Sequence, residues 1–351
     1  MTSQPPTVTV AELADGVLGA TALGDHGDLV APVLVVDLDG AEAGAVDAAA
    51  EVARRSDAIL VGRRADKPSA DLTPLLTALD VTYGGGCDER RETIPVVDLE
   101  QAVIDFTDAV ANRPQASVVV AQVIRASESL PVPAAIDVES LGYSTLQGGA
   151  EFGGWLEERR ALGRPLPPPP TADPVLVDRR AGQLRITLNR PERRNAYGVA
   201  LRDAFVEALR IPLLDNSIDS IVVDGAGPCF CAGGDLDEFG HTPDLTTAHL
   251  VRTRGGAGRL VARLADRIEF RLHGQCVGAG IEIPAFAGRV VAAPDTVMRL
   301  PEVTMGLLPG AGGTVSIPRR IGRWRALHLF VIGAPISADE ALAWGLVDVI
   351  G

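Results

Sequence analysis

Apolar residues first gather at 32–38, PVLVVDL, and again at 56–62, SDAILVG, two runs whose length and β-branched content predict buried strands. Between them, 41–55 reads as an alanine-rich helix, and 70–80 as a short one. Strands alternating with helices imply an α/β layer, which the glycines at 84–86 interrupt. From Val97 the period changes. DLEQAVIDFTDAVANRP has apolar residues at helical spacing, with Asp98 placed to cap the helix. Residues 115–127, 133–147 and 149–160 predict three more helices. RPLPPPPTADP at 164–174 has no regular structure open to it, because proline fixes φ and lacks an N–H; it reads as a linker.

After the linker, VLVDRRAGQLRITLNRP predicts two strands, 197–210 a helix, and DSIVVDGAG a buried strand ending in a glycine turn. Residues 242–266 are helical with a glycine break at 255–258. IEFRLHGQCVGAG predicts a strand leading into a glycine-rich turn and a helix, and GRVVAAPDTVMRLPE two short strands. Helices are expected at 311–318, 322–332 and 337–344. The organisation expected is an α/β region at 1–92, a helical segment at 93–163, a proline-rich linker at 164–175 and a second α/β domain at 176–351.

Three segments of that last domain carry candidate chemistry. In PCFCAGGDLDEFG at 228–240, a small-residue turn after a buried strand leaves backbone N–H groups free to polarise an oxygen. Read alone, it is equally an ordinary tight turn, with Asp235 and Asp237 capping a following helix. In HGQCVGAGIEIPAF at 273–286, a strand runs into small residues at a helix start, where unpaired N–H groups and the helix dipole favour developing negative charge. Glu282 falls in the first turn of that helix, a position that also suits a capping carboxylate. In RLPEVTMGLLPGAGGTVSIPRRIGR at 299–323, Glu302 stands among Leu300, Val303, Met305 and Leu307. A carboxylate there must be paired or perturbed. His273 reads as structural, and His241 lines either a pocket beyond the first turn or the surface.

Length, charge and cysteines narrow the picture further. A chain of 351 residues suits two domains rather than one. A net charge of -14 argues against nucleic acid or an anionic membrane as partner. With 4% aromatic residues there is no stacking platform for bases. The four cysteines, Cys87, Cys229, Cys231 and Cys276, show no C-x-x-C metal spacing, and Cys229 and Cys231 are too close for an ordinary bridge. The first residues lack a basic and an apolar signal region, and no run of about 18 apolar residues spans a bilayer. A reduced, cytoplasmic setting without structural metal is the expectation.

Taken together and in order, NRPERRNAY, CAGGDL, HGQCVGAGIE and LPEVTMGLLPGAGGT resemble the crotonase (enoyl-CoA hydratase/isomerase) superfamily over roughly 176–351. The resemblance implies a ββα superhelix as catalytic core, here behind a smaller α/β and helical N-terminal region. It implies an acyl-CoA thioester as substrate, no separate cofactor, and a trimer or hexamer. Its oxyanion hole carries over to the N–H groups of Gly234 and Ala279, the second position being usually glycine. Its two glutamates carry over to Glu282 and Glu302, and its water-holding amide to Gly310. Coenzyme A contacts are implied at Arg193, Arg194, Ala232, Gly233 and Asp235. Gly288 replaces an aspartate frequent in the family, and Pro228 and Cys229 stand where a lysine often precedes the first turn.

The paired glutamates favour hydration over a one-base isomerase. Cofactor-independent crotonase-fold dioxygenases share a long N-terminal extension and a similar LPE to PRRIG stretch, but carry an amide at the first glutamate. Thioester hydrolysis uses the same oxyanion hole, and a non-catalytic acyl-CoA-binding or assembly subunit is the reading from another class. Crotonases also continue past the GLVDVI segment with several helices. Residues 93–160, with a helix before RP, a glutamate-bearing helix around Glu139 and EF..WL..R, resemble that tail moved to the front. Residues 30–83 resemble a shortened first repeat without CAGGD.

Overall fold

The computed structural model describes residues 6–16, 23–25, 29–85, 90–166 and 168–351; Cys87 and Gly86 fall outside them. The first sheet is parallel throughout, in the order β1 (Thr7–Thr9), β2 (Val33–Asp37), β3 (Ile59–Arg64), β4 (Val81–Gly84) and β5 (Ile94–Pro95). Its central strands β2 and β3 open on unbroken apolar runs, VLVV and ILV, because both faces are covered there. Leu34, Val36 and Leu60 point to one side, into a core with α1 (Val10–Ala14), α2 (Ala43–Ala53) and α3 (Thr73–Ala78). Val33, Val35, Ile59, Val61 and Tyr83 point to the other and join the main core of the molecule. The strand at 81–84 is absent from the sequence reading, since its last glycine belongs to the run that marks a break.

Four helices follow: α4 (Leu99–Asn112), α5 (Pro114–Ser127), α6 (Val132–Gln147) and α7 (Ala150–Arg160). Asp98 caps α4 as expected, accepting from Gln101 N–H at 3.0 Å, and Pro114 sits at the start of α5, where its missing N–H costs nothing.

The second half opens with an antiparallel pair, β6 (Val175–Arg180) and β7 (Gln183–Leu188), then α8 (Val199–Leu214) and β8 (Ser220–Gly225). Helices α9 (Leu245–Gly255) and α10 (Gly258–Arg263) precede two repeats of strand, corner, strand, helix. In the first, β9 (Ile268–Leu272) and β10 (Gln275–Val277) lead to α11 (Ala279–Glu282); in the second, β11 (Arg289–Ala292) and β12 (Val297–Arg299) lead through a short turn of helix to α12 (Gly313–Ile321). The repeats stack in parallel, β9 on β11 in a six-stranded sheet and β10 on β12 in a three-stranded one. This is the ββα superhelix. The sequence reading had one strand where β9 and β10 lie in different sheets. The corner is Gly274, whose φ of +56° and close approach to Pro228 O leave no room for a Cβ. Helices α13 (Arg323–Ile332) and α14 (Ala338–Trp344), the short strand β13 (Ile336–Ser337) and β14 (Val349–Ile350) complete the domain.

The two halves share one core. Helix α13 packs on α4, α5 and β4, while α5 and α6 pack on α12. Asp80, 1% exposed, joins three segments: its carboxylate accepts from Leu60 N–H at 2.8 Å, from the Arg125 guanidinium of α5 and from Arg323 of α13 at 3.4 Å.

Tyr83 Oη meets His328 Nδ1 at 2.7 Å, with the Trp344 ring 6.2 Å from that imidazole on another side. Burial pushes His328 down from 6.5 to about 4. The unfolded chain therefore binds the extra proton first as pH falls. The contribution of neutral His328 is complete above about 6.5 and is lost on acidification towards about 4. At ~1.4 kcal/mol per pH unit, the loss reaches up to about 3 kcal/mol. Thermal melting followed from pH 7 to 4 is expected to show a shallower decline for His328→Gln than for wild type.

Candidate active site

The acyl-CoA reading requires free amides and carboxylates to meet at one place, and a cavity of about 600 Å³ collects them. Gly234, Ala279, Glu282, Glu302 and Gly310 line it from the second half, Glu139 and Tyr143 from the first. The two turns that carry the amides are held against each other. Val277 N–H donates to Cys231 O at 3.0 Å, and the backbones of Cys231 and Cys276 pair side by side in parallel, their thiols free. A side chain at Gly280 would strike Cys231 O, and Gly233, at φ +92°, has Val277 O 3.0 Å from where a Cβ would stand. Small residues at these positions let two backbones approach. Among the described residues, the N–H groups of Gly234 and Ala279 donate to no acceptor.

Behind the first turn, Asn195 adopts φ +53°, a conformation asparagine tolerates. Its Oδ1 accepts from Arg190 N–H at 2.7 Å, and its Nδ2 donates to Ala226, Cys229 and Phe230 carbonyls. No helix begins at Asp235 or Asp237, which corrects the capping role expected for them. Asp235 is buried and takes a forked contact from Arg193. Asp237 binds Arg193 at 2.9 Å and Arg159, from α7, at 2.6 Å, and these contacts hold its carboxyl below the ordinary range. Ala232 N–H donates to Arg194 O at 3.0 Å, and the Arg194 side chain is exposed.

Glu282 and Glu302 converge on Gly278. A Cβ there would collide with Glu302 Oε1 and lie 3.6 Å from Glu282 Oε1. The two carboxyls differ in their partners. Glu282 Oε2 accepts from Ala311 N–H at 2.7 Å and Gly313 N–H at 2.9 Å. Glu302 Oε2 is buried without a hydrogen-bond partner among the described residues. Burial raises both above the usual carboxylate range; the Glu282 charge lifts Glu302 further, whereas its two amides pull Glu282 back. Near neutrality Glu302 is therefore the better proton holder and Glu282 the readier anion.

A third carboxylate was not among the site residues read from the sequence. Glu139, 2% exposed, accepts from Gly312 N–H at 2.8 Å and from Thr314 N–H at 2.9 Å and Oγ1 at 2.7 Å. Successive amides at the start of α12 thus alternate between Glu282 and Glu139. Burial and the Glu282 charge raise the Glu139 carboxyl, the three donors opposing them. The sequence does carry a sign of it: Glu139 lies on the buried stripe of α6 with Ala135, Ile136 and Ser140. Glu139→Gln sets an amide NH₂ against one of the two α12 N–H groups. A loss of about 1–3 kcal/mol is expected, read as a lower midpoint in chemical denaturation.

Gly310 lies under Tyr143, whose ring fills the space a Cβ would take. Burial and the nearby glutamates raise the Tyr143 hydroxyl, against the pull of Arg252. His241 stands at the exposed rim of the cavity, and His273 Nε2 meets Gly227 O at 3.1 Å. Among the described residues no group of histidines, cysteines or carboxylates could hold a metal ion, and no helix is long and apolar enough to cross a membrane.

Residues 178–351 match the family described as Enoyl-CoA hydratase/isomerase. The 2,3-dehydroadipyl-CoA hydratase of Escherichia coli (strain K12) is 36% identical over 174 residues, half of this chain and 68% of that protein. The chain belongs to the enoyl-CoA hydratase/isomerase, or crotonase, family. A 1,2-epoxyphenylacetyl-CoA isomerase from the same organism is 33% identical over 171 residues, 47% of this chain and 65% of that protein. Among solved structures, an enoyl-CoA hydratase of Mycobacterium smegmatis is 31% identical, with a TM-score of 0.47, over 51% of this chain and 70% of that one. The chain thus spans about two thirds of the length of these two Escherichia coli proteins, and the family match leaves residues 1–177 outside it.

Proposed function

We propose that this crotonase hydrates the double bond of an enoyl-CoA thioester. The observation that carries the reading is the pair of buried carboxyls, Glu282 and Glu302, converging on Gly278 in the cavity that also holds the unbonded amides of Gly234 and Ala279. In this scheme the amides bind the thioester oxygen and take up the charge that develops on it. Glu282 removes a proton from water as the water oxygen bonds the β-carbon. The π electrons move to the thioester oxygen as an enolate, and Glu302 gives its proton to the α-carbon as the enolate collapses. The product carries one water more than the substrate, and each glutamate ends in the other's charge state. Gly310 is the position proposed for the water. Ala232, Gly233 and the exposed Arg194 are proposed for the coenzyme A side; Arg193 and Asp235, engaged with each other, act there by shaping the turn.

The test is loss of the conjugated-thioester absorbance with a panel of enoyl-CoA esters. Isomerisation is the second reading, favoured by one asymmetry: Glu302 Oε2 has no partner while Glu282 is held by two amides. A single free carboxyl suffices to move one proton between two carbons. A double bond that shifts position without loss of unsaturation decides for it.

We also infer that 93–163 serve as the closing helices of the catalytic domain, displaced to the front of the chain. What supports this is that α6 supplies Glu139 and Tyr143 to the cavity and α7 supplies Arg159 to the first oxyanion turn.

A further inference from the structure

One charge in the cavity wall is not used by the hydration scheme. Three arginines line the cavity. Arg202 is paired with Asp203 at 2.8 Å and Arg259 with Asp137. Arg252, on α9, has no carboxylate partner among the described residues. Its guanidinium lies over the Tyr143 ring, 4.4 Å from the centroid. Its acceptors are all neutral: Ser140 Oγ at 3.1 Å, Ser140 O at 3.4 Å, Gln147 Oε1 at 3.1 Å and Ser144 Oγ.

A guanidinium has five N–H groups in a rigid fork. One on Nε and two on Nη2 are used by the serines, and one on Nη1 by Gln147. One N–H of Nη1 is left. The ring stack and the four hydrogen bonds fix the plane of the fork, so the remaining donor is pre-aimed rather than free to swing away. Burial also pulls the guanidinium down from its ordinary range, and the charges of Tyr143 and Glu139, neither in direct contact through a carboxylate, offset this only in part. Neutral acceptors orient such a charge but do not balance it.

We propose that Arg252 binds a carboxylate carried at the far end of the acyl chain, so that the preferred substrate is the coenzyme A thioester of a dicarboxylic acid. This rests on the reading of the cavity as an acyl-CoA site. Arg252 is a specificity-determining residue here and takes no part in proton transfer. Tyr143, Ser140, Ser144 and Gln147 position it.

The experiment compares six-carbon thioesters with and without a terminal carboxylate, on the full chain and on Arg252→Met, which keeps the apolar stem. Both kcat/KM for the unsaturated esters and Kd for their saturated counterparts are measured, with free coenzyme A as a third ligand. Wild type is expected to prefer the carboxylated ester by about ten- to a hundredfold, the range of a charge-assisted hydrogen bond. Arg252→Met is expected to bring that ratio close to one. Absence of the preference in wild type overturns the proposal, whether or not the variant folds. So does a preference that survives Arg252→Met, or a variant that weakens free coenzyme A as much as the esters, which assigns the charge to the nucleotide. The saturated esters read the preference without chemistry. A binding preference with no turnover therefore sinks the hydration reading and leaves this one standing.

Discussion

Glu302→Gln is expected to lower kcat on an enoyl-CoA ester by about 10²–10⁴-fold, the range for loss of a positioned general acid or base. The Kd for a saturated acyl-CoA should stay within a few-fold of wild type. The amide keeps the size of the side chain and cannot supply an acidic proton. Because Glu302 Oε2 has no partner to lose, the substitution breaks no hydrogen bond at that atom. It also removes a group whose protonated form is favoured by burial and by Glu282. The wild-type rate should fall as pH rises through the raised titration of Glu302, where its proton is lost, and fall again as pH drops and Glu282 is protonated. Stopped-flow turnover beside a binding isotherm separates the two parameters. A variant that turns over at the wild-type rate would remove Glu302 from the mechanism.

Asp80→Ala is expected to cost about 3–5 kcal/mol of stability, the cost of leaving a buried ion pair without one partner. Asp80 is 1% exposed, and the substitution leaves Arg125 without its carboxylate partner, Arg323 with Glu128 at 3.7 Å alone, and Leu60 N–H without its acceptor. Asp80→Asn keeps one oxygen for Leu60 and should lose less. The measurement is denaturant unfolding followed by far-UV circular dichroism. Since Asp80 joins β3, α5 and α13, both halves should unfold together; two separate transitions in wild type would contradict the single shared core.

The parts of the site legible in the sequence are those made by local backbone. CAGGD and VGAGIE announce turns because glycine at 233, 278 and 280 answers steric demands that are visible as residue type. Glu282 and Glu302 stand out as carboxylates within apolar stretches. The strand and helix pattern after the linker is largely local too, but the corner at Gly274 does not show, because an apolar run gives no sign of changing sheets, nor do the two-residue strands β13 and β14, and the helix expected after CAGG is a turn. What stayed hidden depends on partners distant in sequence. Glu139 looks like one polar residue on an amphipathic helix until Gly312 and Thr314 are brought to it. Asp235 and Asp237 look like helix caps until Arg193 and Arg159 arrive from two other segments. Arg252 has no motif at all, and its meaning comes from the neutral hydrogen-bond partners that folding brings to it.

The start of α12 also has a consequence in time. Its amides are shared between Glu282, which is 29 and 31 residues away, and Glu139, which is 173 and 175 residues away. Loop closure over the longer distance costs more entropy and is slower. During synthesis at 5–20 residues per second, α6 waits roughly 9–35 s before its partner exists. Over that interval the apolar face of α6 and the Glu139 carboxyl have no α12 to cover them. The cavity is accordingly among the last features the nascent chain can complete, and a ribosome paused before residue 312 holds a chain with all four helices α4–α7 made and no active site.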